Sequence, residues 1–389
     1  MGDIMSFFTP LLRLGCAVLA IAGLDLSLRA QNKTTVELPA PSGQFPVGRA
    51  SFDWTDVTRF DPLAPDKRKR ELTVWIWYPA SLAKSPPSSV YLPPKWRDAL
   101  MGHLPPGIRP MYRNLPHVQC HSFDQADFVR GGRSYPVILL KPGIGMLALE
   151  YSALCEDLAS HGYVVVASDS PFNTTVVVYS DGRVVASGQK GEVTPSEATS
   201  LLHVWADDER FLANRLAALN RDGKFRGRLD MNRIGVFGHS FGGATAVEFC
   251  RIDKRCRAGI EVDGRPFGDA IKTGLRRPFM FLMSDQKDVS GAEGQQVFTD
   301  INNIFKRSST GRRYVILRGS AHFSFSDLSV FMNLPPSQRS GPFGSIDGRR
   351  GLMAGSACIC AFFDLNLKGV SASRFGRLPL QYPELLVKN

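Results

Sequence analysis

Cysteine is scarce in this chain, seven in 389 residues, too few for a disulfide-built scaffold. Zinc-knuckle and RNA-binding motifs are missing, as are internal repeats and low-complexity tracts. The apolar stretch near the N-terminus, Leu14 to Leu24, is too short to cross a membrane. With Arg13 before it and a cleavage point near Ala30, it reads as an export signal spanning residues 1–30, although Leu28 stands where a small residue is usual and Met5 is an alternative start. Cys16 is a poor lipidation site because Arg13 lies where an apolar residue should precede it. A secreted or periplasmic protein is therefore expected.

Acidic residues are also in deficit, 36 against 47 basic ones, a formal charge of +11. Such an excess can serve nucleic acid or an anionic membrane, but these charges are scattered, so no nucleic-acid partner and at most transient contact with a membrane surface are expected. The densest run, Lys67-Arg68-Lys69-Arg70, reads as a solvated loop before a strand rather than a lipid or polyanion site. What the chain does have is apolar residues enough, 43%, for the sizeable core of a globular domain.

Short β-branched runs recur at Thr73–Tyr78, Val137–Leu140, Tyr163–Ser168, Arg233–Phe237, Ala258–Val262, Pro278–Met283 and Arg313–Leu317. Helical patterns separate the later ones, at about 149–161, 197–220, 242–250 and 293–307, and a last helix at about 351–368 ends on Lys368-Gly369. This alternation predicts an α/β fold with a mostly parallel central sheet and helices on both faces. Residues 31–389 read as one catalytic domain with two insertions. The first, about 81–133, is Pro-rich and irregular; the second, about 171–192, holds a hairpin turning at Ser180-Asp181-Gly182-Arg183. Either could wall a substrate pocket or be surface packing.

Gly238-His239-Ser240-Phe241-Gly242 fits G-x-S-x-G, the nucleophile elbow of the α/β-hydrolase fold, and it sits between a strand and a helix as that motif requires. A serine hydroxyl needs a histidine base and an acid to orient it. In this fold the chain order is Ser, acid, His, and the one histidine after Ser240 is His322. The acid is open between Asp263, which ends the next strand, and Asp285 or Asp288 after the strand beyond. Backbone N–H groups of Phe241 and of Ile144, in the loop Pro142-Gly143-Ile144-Gly145, are the expected oxyanion donors. Cys250 and Cys256 bracket a helix end and turn and form the best candidate disulfide. Cys358 and Cys360, two apart on a helix, point to different faces and read as packing residues; Cys120 stays unassigned.

Tyr151-Ser152-Ala153 with Asp157-Leu158-Ala159-Ser160-His161-Gly162, the Ser240 segment through Thr245, and Arg318-Gly319-Ser320-Ala321-His322 resemble the plasma-type platelet-activating-factor acetylhydrolase family, the lipoprotein-associated phospholipases. The likeness runs from about Pro41, through Pro46-Val47-Gly48 and Trp77-Tyr78-Pro79, to the last helix. It implies Asp263 as the acid, Ile144 and Phe241 as oxyanion donors, no cofactor and no metal, and hydrolysis of short or oxidised sn-2 acyl groups of phospholipids (1-alkyl-2-acetylglycerophosphocholine esterase activity). The alternatives are a broad short-chain carboxylesterase, a secreted polyester or cutin-like hydrolase, and, in another class, a non-catalytic hydrolase-fold binding protein. Lys141-Pro142 departs from the Ser-His of the animal enzymes, and their lipoprotein-binding helix has no counterpart here, so lipoprotein binding is not expected.

Overall fold

The computed structural model describes residues 35–82, 87–188, 195–285, 292–308 and 311–388. The export signal and Asp288 lie outside these residues. The buried runs become β2 (Lys69–Ser81), β4 (Tyr135–Lys141), β5 (Val164–Asp169), β8 (Leu229–His239), β9 (Cys256–Val262), β10 (Phe279–Ser284) and β11 (Arg312–Leu317). Four strands join them that the sequence pattern does not announce: β1 (Val47–Phe60), β3 (Ser122–Asp124), β12 (Leu385–Lys388) and, off the main path, the two-residue strand Asp127–Phe128 beside the end of β2. The sheet order is β12-β11-β10-β9-β8-β4-β5-β2-β1-β3. The six central strands, β4, β5 and β8 to β11, run parallel; β2 and β12 are antiparallel to their inner neighbours.

Alternation along each strand divides the core. Ile138 and Leu140 face one side with Val165, Phe237 and Ile260, while Val137 and Leu139 face the other with Val164, Val166 and Val236. The first side is covered by α2 (Ser152–Ser160) and α6 (Gly348–Leu367), the second by α3 (Pro195–Leu219), α4 (Phe241–Ile252) and α5 (Ala292–Arg307). Two short helices, Ala372–Gly376 and Leu378–Gln381, follow the helix expected to be last, which starts three residues before its expected position, where the Asp347 side chain accepts from Arg350 N–H at 2.9 Å. It stops at Gly369, whose φ of 69° suits a residue without Cβ.

β4 lies between β5 and β8, so the chain leaves it in one direction and returns in the other. Such a switch opens a crevice at the carboxyl ends of the strands, the usual ligand position in open α/β sheets. The two insertions meet this architecture differently. The first contains α1 (Pro94–His103), and its Trp96, Leu100, Tyr112 and Leu115 enter the main core. The second forms the expected hairpin, β6 (Val176–Val178) with β7 (Val184–Ala186), closed by Tyr179 N–H to Arg183 C=O at 2.9 Å.

The run at 67–70 is not all solvated loop. Arg70 is fully buried, bonded to Asp61 at 2.9 Å and to Asp208 of α3 at 2.7 Å. Cys250 and Cys256 are disulfide-bonded, with Cα atoms 5.1 Å apart; Cys120, Cys155, Cys358 and Cys360 are buried thiols.

Candidate active site

Ser240 stands between the last residue of β8 and the first of α4, with φ 58° and ψ −126°. A side-chain-bearing residue is strained there, and the turn persists because its neighbours allow nothing wider. A Cβ on Gly238 would lie 2.0 Å from the Gly242 carbonyl oxygen, and one on Gly242 2.0 Å from that of Lys141. Ser240 N–H donates to Val262 C=O at 2.9 Å, tying the turn to β9. The helix N-terminus then places partial positive charge beside the hydroxyl.

The structure brings Asp263 and His322 together: Nδ1 of the imidazole and Oδ2 of the carboxylate are 2.8 Å apart. Asp263 too has a positive φ, 46°. Its other oxygen accepts from Ser284 N–H at 2.8 Å. Burial opposes ionisation of this carboxyl, but the hydrogen bond and charge of His322, with the Ser284 N–H, outweigh it and bring its pKa down to about 2. Asp285 does something else. Its Oδ2 accepts from Gly319 N–H at 2.9 Å and its own N–H donates to Ser320 C=O at 3.2 Å, so it braces the loop that carries His322.

The Pro142–Gly145 loop lies against the elbow, close enough that a Cβ on Gly143 would be 3.2 Å from that of Ser240. Gly145 N–H donates to Asn173 C=O and Met146 N–H to Gly143 C=O, whereas Ile144 N–H between them meets no acceptor among the described residues. Phe241, first in α4, has no carbonyl one turn earlier in the helix to bond. Two backbone donors are thus left for an incoming oxygen.

Sequence reasoning missed three features. His239 is buried, with Nε2 2.8 Å from the carbonyl oxygen of His322 and Nδ1 2.8 Å from the Tyr151 hydroxyl. A carbonyl only accepts, so Nε2 carries the proton and Tyr151 donates to Nδ1. Burial, followed by the charge of His322, lowers the His239 pKa to about 3, and the ring is neutral at ordinary pH. Lys141, at the root of the Ile144 loop, is fully buried: Nζ is 3.1 Å from Ser168 Oγ and 3.9 Å from Glu209 Oε1. Burial depresses the ammonium and raises Glu209 to about 8. Finally, Trp205 and Phe267 flank Phe241, with ring centroids 5.0 and 6.0 Å away, and Leu202 and Ile144 complete an apolar wall. The position of His239 inside the elbow motif was the available signal for the first; nothing local marks Trp205, 35 residues upstream of Ser240.

The family described as platelet-activating factor acetylhydrolase, isoform II, matches residues 30–193 and 208–368. A protein of Arthroderma benhamiae named "probable 1-alkyl-2-acetylglycerophosphocholine esterase" is 30% identical over 262 residues, covering 61% of each chain. The platelet-activating factor acetylhydrolase of Cavia porcellus is 27% identical over 230 residues, 52% of this chain and 50% of that one. The chain thus matches half to three-fifths of the length of these relatives. A ferulic acid esterase from Streptomyces cinnamoneus superposes with a TM-score of 0.78 and 28% identity, covering 92% of this chain and 100% of that one.

Proposed function

The chain belongs to the platelet-activating factor acetylhydrolase family, isoform II, and from that premise we propose that it is a serine hydrolase cleaving carboxylic esters through an acyl-enzyme, with short or oxidised sn-2 acyl groups of phospholipids as substrates. The observation that carries this reading is the 2.8 Å contact of His322 with Asp263 behind the Ser240 elbow. Ser240 Oγ attacks the ester carbonyl while His322 takes its proton, and Asp263, ionised across the working range, stabilises the imidazolium. Ile144 and Phe241 N–H groups receive the oxyanion. The protonated His322 then gives its proton to the leaving alcohol. A water activated by the same ring releases the acid and restores Ser240.

A second reading, a broad esterase that also accepts aromatic acids, is favoured by the wall of Trp205, Phe241 and Phe267 beside the nucleophile. The similarity to a ferulic acid esterase supports it. Both readings are tested by hydrolysis of p-nitrophenyl esters from acetate to palmitate, a feruloyl ester and a short sn-2 acyl phospholipid, with Ser240→Ala as control. Short-chain activity lost in Ser240→Ala supports the esterase, and the ratio of phospholipid to feruloyl rates separates the two. Absence of activity on all of them from folded protein would favour the ligand-binding alternative.

A further inference from the structure

β2 is antiparallel to β5, with Thr73 opposite Asp169, the last residue of β5. The β1–β2 hairpin therefore points toward the strand ends where Ser240 lies, and residues 69–72 carry it roughly 13 Å beyond β5 at 3.3 Å per residue. Its root is fixed by the buried ion pairs of Arg70 with Asp61 and Asp208 and by the part-buried ones of Arg59 with Asp56 and Asp208, at 2.6 and 2.9 Å. Charges removed from water in this way cost free energy unless their geometry is good, and once paired they hold one loop shape.

That rigid root holds up apolar side chains. Val57 is 71% exposed, Phe60 63% and Leu63 39%. Basic groups surround them: Lys67 is exposed, and Lys69 Nζ lies 3.7 Å from the centre of the Phe60 ring. The β6–β7 hairpin adjoins this tip through Ser180 N–H to Asp53 at 2.7 Å and Arg183 to Glu71 at 2.9 Å, adding the exposed Val184. The segment leading into that hairpin bridges Thr174 to Gly145, so a chain of contacts through the buried Thr174 and Val176 to Tyr179 links the oxyanion loop to the tip.

We propose that this tip, Val57, Phe60 and Leu63 with Lys67 and Lys69, docks the protein on an anionic lipid surface with the Ser240 crevice facing the lipid. The tip is convex. A protein partner would need a matching socket, whereas a bilayer interface deforms around inserted apolar groups while lysines at the rim meet anionic headgroups. A bare polyanion would use the lysines and leave Val57 and Phe60 idle. The inference rests on the exposed tip and holds whichever ester is cleaved.

The test is partition of the full chain onto phosphatidylcholine vesicles with and without phosphatidylglycerol, at low and high salt, with hydrolysis of soluble p-nitrophenyl acetate as the folding control. The chain should bind the anionic vesicles, with salt weakening the binding. Lys67→Glu/Lys69→Glu should reduce partition at least about 25-fold, taking about fivefold for each lost basic charge. Val57→Ser/Phe60→Ser should also reduce it, and both variants should keep the soluble-ester rate. Failure of the parent chain to bind anionic vesicles at low salt overturns the proposal, as does equal binding by all three proteins. Loss in the lysine variant alone would make the tip a polyanion site and overturn lipid docking.

Discussion

The ring of His239 and the backbone of His322 are joined by a 2.8 Å hydrogen bond from Nε2–H to the carbonyl oxygen. The residue before Ser240 therefore fixes the loop that carries His322. Tyr151 fixes the ring in turn by donating to Nδ1, and a longer contact from Gly143 N–H, 3.5 Å, reaches the same hydroxyl. Neither side chain touches a reacting atom in the mechanism above; both are positioning residues.

Tyr151→Phe should leave Nδ1 of His239 without its donor at a cost of about 1–2 kcal/mol in stability. If the link positions His322, kcat should fall about tenfold or more with KM little changed, since sub-ångström displacement of a catalytic group acts on the chemical step. Steady-state kinetics beside thermal unfolding checks this. A stability loss with an unchanged kcat would confine the link to folding.

His239 also predicts a pH effect on stability. Its folded pKa, about 3, lies below the unfolded value of 6.5. The unfolded chain binds this proton between those limits and the native one does not. The stabilisation is complete above pH 6.5 and declines as pH falls toward 3, by up to about 1.4 kcal/mol per unit for one proton. Urea unfolding between pH 7 and 4 should show a shallower decline in His239→Gln than in the parent chain; parallel profiles would contradict the buried neutral ring.

The two acid candidates separate in a direct comparison. Asp263→Asn keeps the shape but favours the wrong His322 tautomer, and should reduce kcat by roughly 10⁴-fold, the size known for such a change in a serine protease triad. Asp285→Asn keeps an oxygen for Gly319 N–H and should retain activity within about tenfold. Reversal of that order would move the acid role to the later strand.

How much of this was legible depends on how local each cause is. The elbow and His322 could be read because Gly238 and Gly242 are fixed by steric contacts within the motif, and no other histidine follows Ser240. Asp263 and Asp285 each follow a strand, so spacing alone left them equal; the 2.8 Å contact with His322 distinguishes them. β1 escaped notice because it is a polar, partly exposed strand whose partner β2 supplies the buried face. Arg70 was misread as solvated because its partner Asp208 lies 138 residues away.

The Cys250–Cys256 bond closes a short loop between α4 and β9, with a sequence separation of 6. On chain entropy such a loop is worth about 2 kcal/mol. Cys250→Ser/Cys256→Ser should lower Tm by a few degrees, and reductant should lower the parent's Tm equally while leaving the double variant unmoved. A parent insensitive to reductant under denaturing conditions would mean that the bond is not formed in solution.

Ser240 combines its proposed nucleophilic role with an unfavourable backbone. At φ 58° and ψ −126° its Cβ crowds its own peptide, a strain of about 1–3 kcal/mol, while glycine occupies that region freely at an entropic cost of about 0.5–1 kcal/mol in the unfolded chain. The balance favours glycine in the folded state. Ser240→Gly should therefore lose hydrolysis and gain stability, by up to about 2.5 kcal/mol, whereas Ser240→Ala should lose hydrolysis and keep the strain. Denaturant unfolding of the three proteins measures this, and the informative quantity is the difference between the two inactive variants, because both lack the hydroxyl. If Ser240→Gly proves no more stable than Ser240→Ala, the elbow is not strained at Ser240, and its turn is maintained by the Gly238 and Gly242 contacts alone.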